Sequence, residues 1–272
     1  MIRSYLHNLA KKYRKVENTS IKIILQKLHW HLRTKDVLDS NFLTKFEFIR
    51  NSGTITNQFQ FMHQGIKVPL HAYCGPLMTN LIQKAKGVHE PEEEYYFNKM
   101  LSSLNVNSTI LELGSYWAYY SAWFLTICEN GYSVCIDTIQ ANLEIGKNTY
   151  ELNNVKERGT FLKGFISKKI NLIDNTYTID YLISTYFNNK LSVLHSDIQG
   201  HELDMLKGSE NSLKNNAIDY IFISTHSDEL HNKCKVLLQN YDYIINVDIN
   251  LENSSSFDGL IIASSPSVIN PF

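Results

Sequence analysis

Two stretches of this chain gather residue types that can do chemistry. The first is Thr109-Ile110-Leu111-Glu112-Leu113-Gly114-Ser115-Tyr116-Trp117, and the second is Leu194-His195-Ser196-Asp197-Ile198-Gln199-Gly200-His201-Glu202. Each is a short apolar run that ends in acidic and small residues and passes directly into a helical pattern. A buried parallel strand presents side chains in this way at its C-terminal end, and ligands of open α/β sheets sit just outside those ends. Both loops are therefore expected to face one crevice, the first as a cofactor loop and the second as the catalytic edge.

The first loop argues against one large cofactor class. A dinucleotide needs glycines at G-x-G-x-x-G spacing so that the backbone can reach the pyrophosphate. Here Gly114 stands alone, Tyr116 and Trp117 fill the space the anion would need, and Glu112 would repel it. A cofactor with a cationic sulfonium and an amino-acid head, S-adenosylmethionine, has the opposite preference. Glu112 then suits the ammonium or sulfonium, Gly114 lets the backbone come close, and Ser115 and Tyr116 follow as candidate contacts. The alternative for Glu112 is a partly solvated acid at a strand end.

The elements that must position these loops alternate from about residue 90 onward. After a helix around Tyr119 to Glu129, a strand ends at Asp137. An acid about 20 residues beyond the first loop is where a ribose hydroxyl pair is usually held, which assigns Asp137 to the ribose, with a helix N-cap as the alternative. A third strand, residues 159–163, closes on Gly164 and Phe165, candidates to border the adenine. A fourth strand, 192–196, carries Asp197, and a fifth, 220–225, carries His226. Two last strands, about 243–247 and 259–263, fit a closing antiparallel pair. The expected fold is α/β, a seven-stranded Rossmann-like sheet with helices on both faces.

Residues 1–89 read as an extension and 90–272 as the catalytic domain. In the extension, Ile2, Tyr5, Leu6, Leu9 and Tyr13 share one helix face, a second helical segment runs from Ile21 to Leu32, and alternation within 54–71 suggests a β-hairpin. The basic excess of the first helices fits a solvated face packed on the domain or on a second copy, which makes them a candidate homo-oligomer surface. Pro91-Glu92-Glu93-Glu94 reads as the acidic first turn of a helix running to Leu104.

Composition removes other classes. A net charge of −1 argues against a general nucleic-acid binder. The 4 cysteines are widely spaced without a C-x-x-C pair, which fits reduced thiols in a cytoplasmic protein better than disulfides or a zinc site. No stretch approaches the roughly 18 apolar residues of a membrane span, and the N-terminus lacks the pattern of a signal peptide.

Three separated segments then carry a family resemblance. Leu111-Glu112-Leu113-Gly114-Ser115-Tyr116-Trp117-Ala118-Tyr119-Tyr120-Ser121, Ser196-Asp197-Ile198-Gln199-Gly200-His201-Glu202-Leu203-Asp204-Met205-Leu206-Lys207-Gly208 and Ser256-Phe257-Asp258-Gly259-Leu260-Ile261 resemble an FkbM-type methyltransferase, over roughly residues 75–265. The resemblance implies a class I S-adenosylmethionine-dependent fold and O-methylation of a hydroxyl on a sugar, glycan or glycosylated natural product. One departure stands out: many members carry Glu-Pro after the second strand, where this chain has Asp137-Thr138.

Methyl transfer to a hydroxyl needs an aligned nucleophile and a means of removing its proton. His226 is the candidate base, with Asp197 orienting it or binding the acceptor. Asp197, His226 and Asp228 are alternatively candidate ligands for a divalent metal such as magnesium. His195 shares a strand face with Asp197 and could pack under the cofactor; Glu202 is expected to lock the turn that aims Asp197. Two other classes stay on the table. Nicotinamide-dependent oxidoreduction is disfavoured by the single glycine, and a catalytically silent sugar-binding or scaffold protein would bind S-adenosylmethionine without turnover or not at all.

Overall fold

A computed structural model describes residues 16–272; the helix expected over Ile2 to Tyr13 lies outside the described residues. Strands β1 (Phe59–Phe61) and β2 (Lys67–Pro69) pair antiparallel. They are followed by β3 (Thr109–Leu113), β4 (Tyr132–Asp137), β5 (Gly159–Lys163) and a short parallel pair, β6 (Phe165–Ile166) and β7 (Thr176–Tyr177). The chain ends through β8 (Leu191–Ser196), β9 (Ile218–Thr225), β10 (Ile244–Ile249) and β11 (Gly259–Ser264).

Seven of these form one sheet in the order β10-β11-β9-β8-β3-β4-β5. All its pairings are parallel except those of β11, which runs antiparallel to β9 and β10. The chain leaves β3 in one direction through β4 and β5, then returns to lay β8 on the other side of β3. That reversal makes the C-terminal ends of β3 and β8 the switch point where open α/β sheets bind ligands.

The central strands are buried almost without interruption because helices cover both faces. Their period of two divides the apolar residues between two cores. Ile110, Cys135, Val193 and Phe222 face one; Leu111, Val134, Leu194, Ile221 and Ile223 face the other. The N-terminal segment adds to the first core, where Val37, Met62, Val68, Leu81 and Val88 pack with Ile110 and Phe222.

Within that segment the local pattern was a weaker guide. The helix Thr19–Asp39 is continuous, capped by Asn18, whose Oδ1 accepts a bond from Ile21 N at 3.1 Å. It buries His29 and Val37, while Ile21, Ile23 and Ile24 are exposed. The hairpin is present, but its first strand is Phe59–Phe61 rather than the alternating Thr54-Ile55-Thr56. Gln60 points inward there, its amide donating to the carbonyls of Gly53 and Thr79, so the strand shows a polar residue on its buried side. The helix expected to reach Leu104 is Pro91–Leu101.

The two site loops meet backbone to backbone. Asp197 N donates to Leu113 O at 3.0 Å, and a Cβ on Gly114, at φ +69°, would overlap the Asp197 carbonyl oxygen. The glycine expected for its approach to a cofactor is thus already required by the contact between β3 and β8. Gly200, at φ +105°, has open space where a Cβ would go. Gly114→Ala should therefore destabilise the protein by about 3 kcal/mol or more, combining left-handed strain with overpacking. Gly200→Ala should cost less, roughly 1–3 kcal/mol from backbone strain alone. Urea unfolding of both variants checks this, and equal losses would refute the packing role given to Gly114.

Candidate active site

A cavity of about 780 Å³ opens at the ends of β3 and β8. Glu112, Gly114, Ser115, Tyr116, Asp137, Gly164, Phe165, Asp197 and His226 all line it. Asp228 does not: it begins the helix Asp228–Asn240 and faces a separate shallow pocket with His231 and Asp248. The metal trio of Asp197, His226 and Asp228 is therefore not assembled. Among the described residues no group of three or more His, Cys, Asp or Glu is placed to hold an ion.

Left-handed backbone shapes the first loop, at Gly114 (φ 69°), Tyr116 (φ 43°) and Ala118 (φ 52°). Such conformations persist when their surroundings over-determine them. Gly114 N and Ser115 N both donate to Ile136 O, at 2.9 and 3.0 Å. Asp137 completes the brace: Oδ2 accepts from Tyr116 N at 3.1 Å, and Oδ1 from Ile139 N at 2.8 Å. The Asn142 amide also reaches both oxygens, at 3.1 and 3.2 Å. Asp137 thus holds the loop from the next strand, with the Asn142 amide as the partner a ligand hydroxyl could replace.

Glu112 sits beneath this loop, buried, with Oε2 accepting from Ser121 N at 2.9 Å. Burial raises its pKa, partly offset by His195 and Ser121. The Ser115 hydroxyl is buried without a partner, a polar atom left for a ligand to satisfy. Phe165 is exposed at the cavity edge and meets His201 edge-on, ring centres 4.6 Å apart.

The second loop builds a relay around His226. Nδ1 lies 2.8 Å from Glu202 Oε1, a carboxylate that also accepts from Gly200 N at 3.1 Å. Glu202 therefore locks the turn, as expected, and also fixes the ring. Nε2 faces Asp197 Oδ1 at 3.2 Å, Asp258 Oδ1 at 3.7 Å and the Gln199 amide nitrogen at 2.8 Å. Gln199 donates to Asp197 Oδ1 at 2.9 Å, so when the ring is neutral its Nε2 is the acceptor nitrogen. Burial alone would lower the His226 pKa, but Asp197, Glu202 and Asp258 outweigh it and push the value up to about 10.

A third wall was not legible in the sequence. The residues of the acidic first turn, Glu92, Glu93 and Glu94, are buried. Glu93 Oε1 lies 2.8 Å from His195 Nε2, and Oε2 accepts from Ser224 Oγ at 3.0 Å. Glu94 accepts from His89 N, Glu90 N and the Tyr119 hydroxyl, at 2.8, 2.9 and 2.9 Å. His89 is wedged between two acids, with Nδ1 2.7 Å from Glu94 and Nε2 3.2 Å from Glu90. Against the effect of burial, Glu90 and Glu94 push His89 up to about 10, while His89 and Arg33 hold Glu90 down at about 2. His195 lines the cavity from beside Tyr120, ring centres 4.1 Å apart. His29, Arg33, Tyr73 and Cys74, from the first part of the chain, complete the lining. Tyr73 stacks on Trp117 at 4.4 Å and His29 on Phe257 at 4.9 Å.

A family model for the methyltransferase FkbM domain matches residues 83–245, more than half of the chain. Similar solved structures include a methyltransferase FkbM from Methylobacillus flagellatus, 17% identical, TM-score 0.46, covering 69% of this chain and 52% of that one. The chain thus spans about half the length of that protein. A putative rRNA methylase from Clostridium thermocellum is 10% identical with TM-score 0.50, covering 65% of this chain and 96% of its own. The M. capricolum TrmK, in complex with S-adenosyl-homocysteine, is 13% identical with TM-score 0.42 and covers 64% and 70%. No curated protein matches the chain.

The buried acid–histidine wall makes stability depend on pH in a defined direction. The fold binds the His89 proton more tightly than the unfolded chain does, so that contribution is complete below pH 6.5 and lost as pH rises towards about 10. It binds the Glu90 proton less tightly, so that contribution is complete above pH 4.5 and lost as pH falls towards about 2. Urea midpoints should peak between those ordinary values and decline on both sides. Glu94→Gln, which breaks a buried charged cluster, should lower stability by about 3–5 kcal/mol. Midpoints unchanged from the peak window to alkaline pH, in the parent and the variant alike, would remove the network from the account.

Proposed function

The chain belongs to the FkbM methyltransferase family, and from that premise we propose that it transfers a methyl group from S-adenosylmethionine to a hydroxyl of a sugar, glycan or glycosylated natural product. One observation carries this reading. A single cavity joins a loop suited to a cationic cofactor with a histidine whose second nitrogen is fixed by a buried carboxylate. The first half fits S-adenosylmethionine by its donor set: Glu112 and Asp197 complement positive charge, and the Ser115 hydroxyl has a partner to gain. Asp137 would take the ribose hydroxyls in exchange for Asn142, and Gly164 and Phe165 would border the adenine.

When bound, the cofactor supplies an electrophilic methyl group on a sulfonium. The chain then has to align the acceptor oxygen and take its proton, because an alcohol is a weak acid. His226 accepts that proton at Nε2, while Glu202 holds Nδ1–H and so fixes ring orientation and tautomer. Asp197 and Gln199 orient the acceptor hydroxyl towards Nε2. His226 would lose its proton more readily beside a bound cation, because the like charge disfavours the imidazolium.

Titration calorimetry with S-adenosylhomocysteine should show micromolar binding. His226→Gln should keep that binding and Asp197→Asn should weaken it, and both should lower turnover by about 100- to 10,000-fold, the range for loss of acid–base help. Absence of binding would favour the silent-scaffold alternative, and full turnover in both variants would refute the catalytic roles. In pH–rate profiles, kcat/KM should rise with pH towards the free-enzyme value of about 10. The corresponding limb in kcat should lie at lower pH, because the cofactor is then in place. Activity that falls with rising pH across this limb would assign the charged ring, and not the neutral one, to the working state.

A further inference from the structure

Arg33 is a cation with unused donors. It stands in the helix Thr19–Asp39, outside the matched family segment of residues 83–245, and lines the cavity. Its side chain is 11% exposed, and its one hydrogen bond among the described residues is a long contact, Nη2 to Glu90 Oε1 at 3.4 Å. Nε is buried with no partner. A guanidinium carries five N–H donors, and buried donors are nearly always engaged. The group is also held in place, with its carbon 5.6 Å from the centre of the Phe257 ring.

The acids around it are largely committed elsewhere. Glu90 is shared with His89 at 3.2 Å and with the Tyr120 hydroxyl at 3.3 Å. Asp197 accepts from Gln199 and faces His226. Asp258 acts on Arg33 electrostatically and lies 3.7 Å from His226 Nε2. Phe257 and Asp258 tie Arg33 to the His226 side of the cavity, while Tyr73 and Cys74, its other neighbours, adjoin Tyr116 of the first loop.

The geometry points to Arg33 as the anchor for an anionic group, a carboxylate or phosphate, on the sugar acceptor near the hydroxyl that is methylated. The inference rests on the methyl-transfer reading for what happens at that hydroxyl, and on Arg33 itself for the charge. A planar fork of donors fits the paired oxygens of a carboxylate or phosphate. A neutral sugar would leave part of the guanidinium without acceptors.

Titration calorimetry of the full chain, with and without S-adenosylhomocysteine, should compare glucuronic acid, glucose 1-phosphate and glucose. At least one acid should bind about tenfold or more tightly than glucose, as expected for a charge-assisted pair. The better of the two separates a uronic acceptor from a phosphorylated one. Arg33→Met should erase the preference and Arg33→Lys should keep part of it, with circular dichroism confirming that both variants fold. Acids that bind no better than glucose, or bind not at all, overturn the inference on the parent protein alone. So does a preference that survives in Arg33→Met. If the preference holds while S-adenosylhomocysteine fails to bind, the anion site stands and the methyl-transfer reading falls. If the cofactor product binds and the preference is missing, the reverse is true.

Discussion

Four carboxylates at the start of one helix set the terms for the elements around them. Glu92, Glu93 and Glu94 are buried, and the Glu90 side chain is 13% exposed. Removing a carboxylate from water costs several kcal/mol unless charge and hydrogen bonds replace the lost hydration. The helix N-terminus offsets part of this, since its dipole favours negative charge. The remainder has to come from distant chain. Glu92 takes the Ser255 hydroxyl and backbone N–H; Glu93 takes His195 and Ser224. Glu94 takes His63, His89 and Tyr119, and Glu90 takes Arg33, His89 and Tyr120. These partners come from the N-terminal helix, the hairpin turn, β8, β9 and the loop before β11. Satisfying one helical turn therefore fixes how the extension docks on the sheet, and explains why both share a core.

The same requirement prepares the cavity. Glu90 and Glu93 line it, as do their partners His89, His195, Ser224 and Arg33. A wall whose carboxylates are already paired has less to reorganise when a ligand enters, and such preorganisation is what makes fixed charges effective in a water-poor site. The left-handed residues of the first loop are held in the same manner, by Ile136 O and the Asp137 carboxylate. The strain lies in the loop and the restraint in the neighbouring strand.

Strand ends were legible in the sequence because their signal is local. Apolar runs that stop at Glu112-Leu113-Gly114, at Asp137 and at Ser196-Asp197 announce where β3, β4 and β8 finish, and a parallel sheet brings those ends together. Partnerships across the fold were not legible. Pro91-Glu92-Glu93-Glu94 has the composition of a solvated first turn, and nothing near it announces His195 or Ser255, which lie more than a hundred residues away. The helix Thr19–Asp39 misleads for a related reason: its apolar Ile21, Ile23 and Ile24 stay outside while His29 packs on Phe257. Gly114 was found for one reason and retained by another, since the backbone of Asp197 fills the space beside it. Asp228 is two residues from His226 in sequence, but a turn into a helix carries it to another face.

Arg33 links these two levels. It contributes to the seam through Glu90 and reaches the cavity with donors left over. Glu90 does not depend on it alone, because His89 and Tyr120 hold the same carboxylate. A ligand that drew the guanidinium away would therefore leave Glu90 compensated by the His89 imidazolium, and the buried network would stay neutral enough to remain folded. An exchangeable partner at the edge of a fixed network is an arrangement in which recognition does not have to be taken from stability. On the proposed reading, the matched methyltransferase segment supplies the strand ends for the cofactor, while the chain outside it supplies the cation for the acceptor. Variation in what is methylated can then arise in the extension without disturbing the loops that β3 and β8 hold in place.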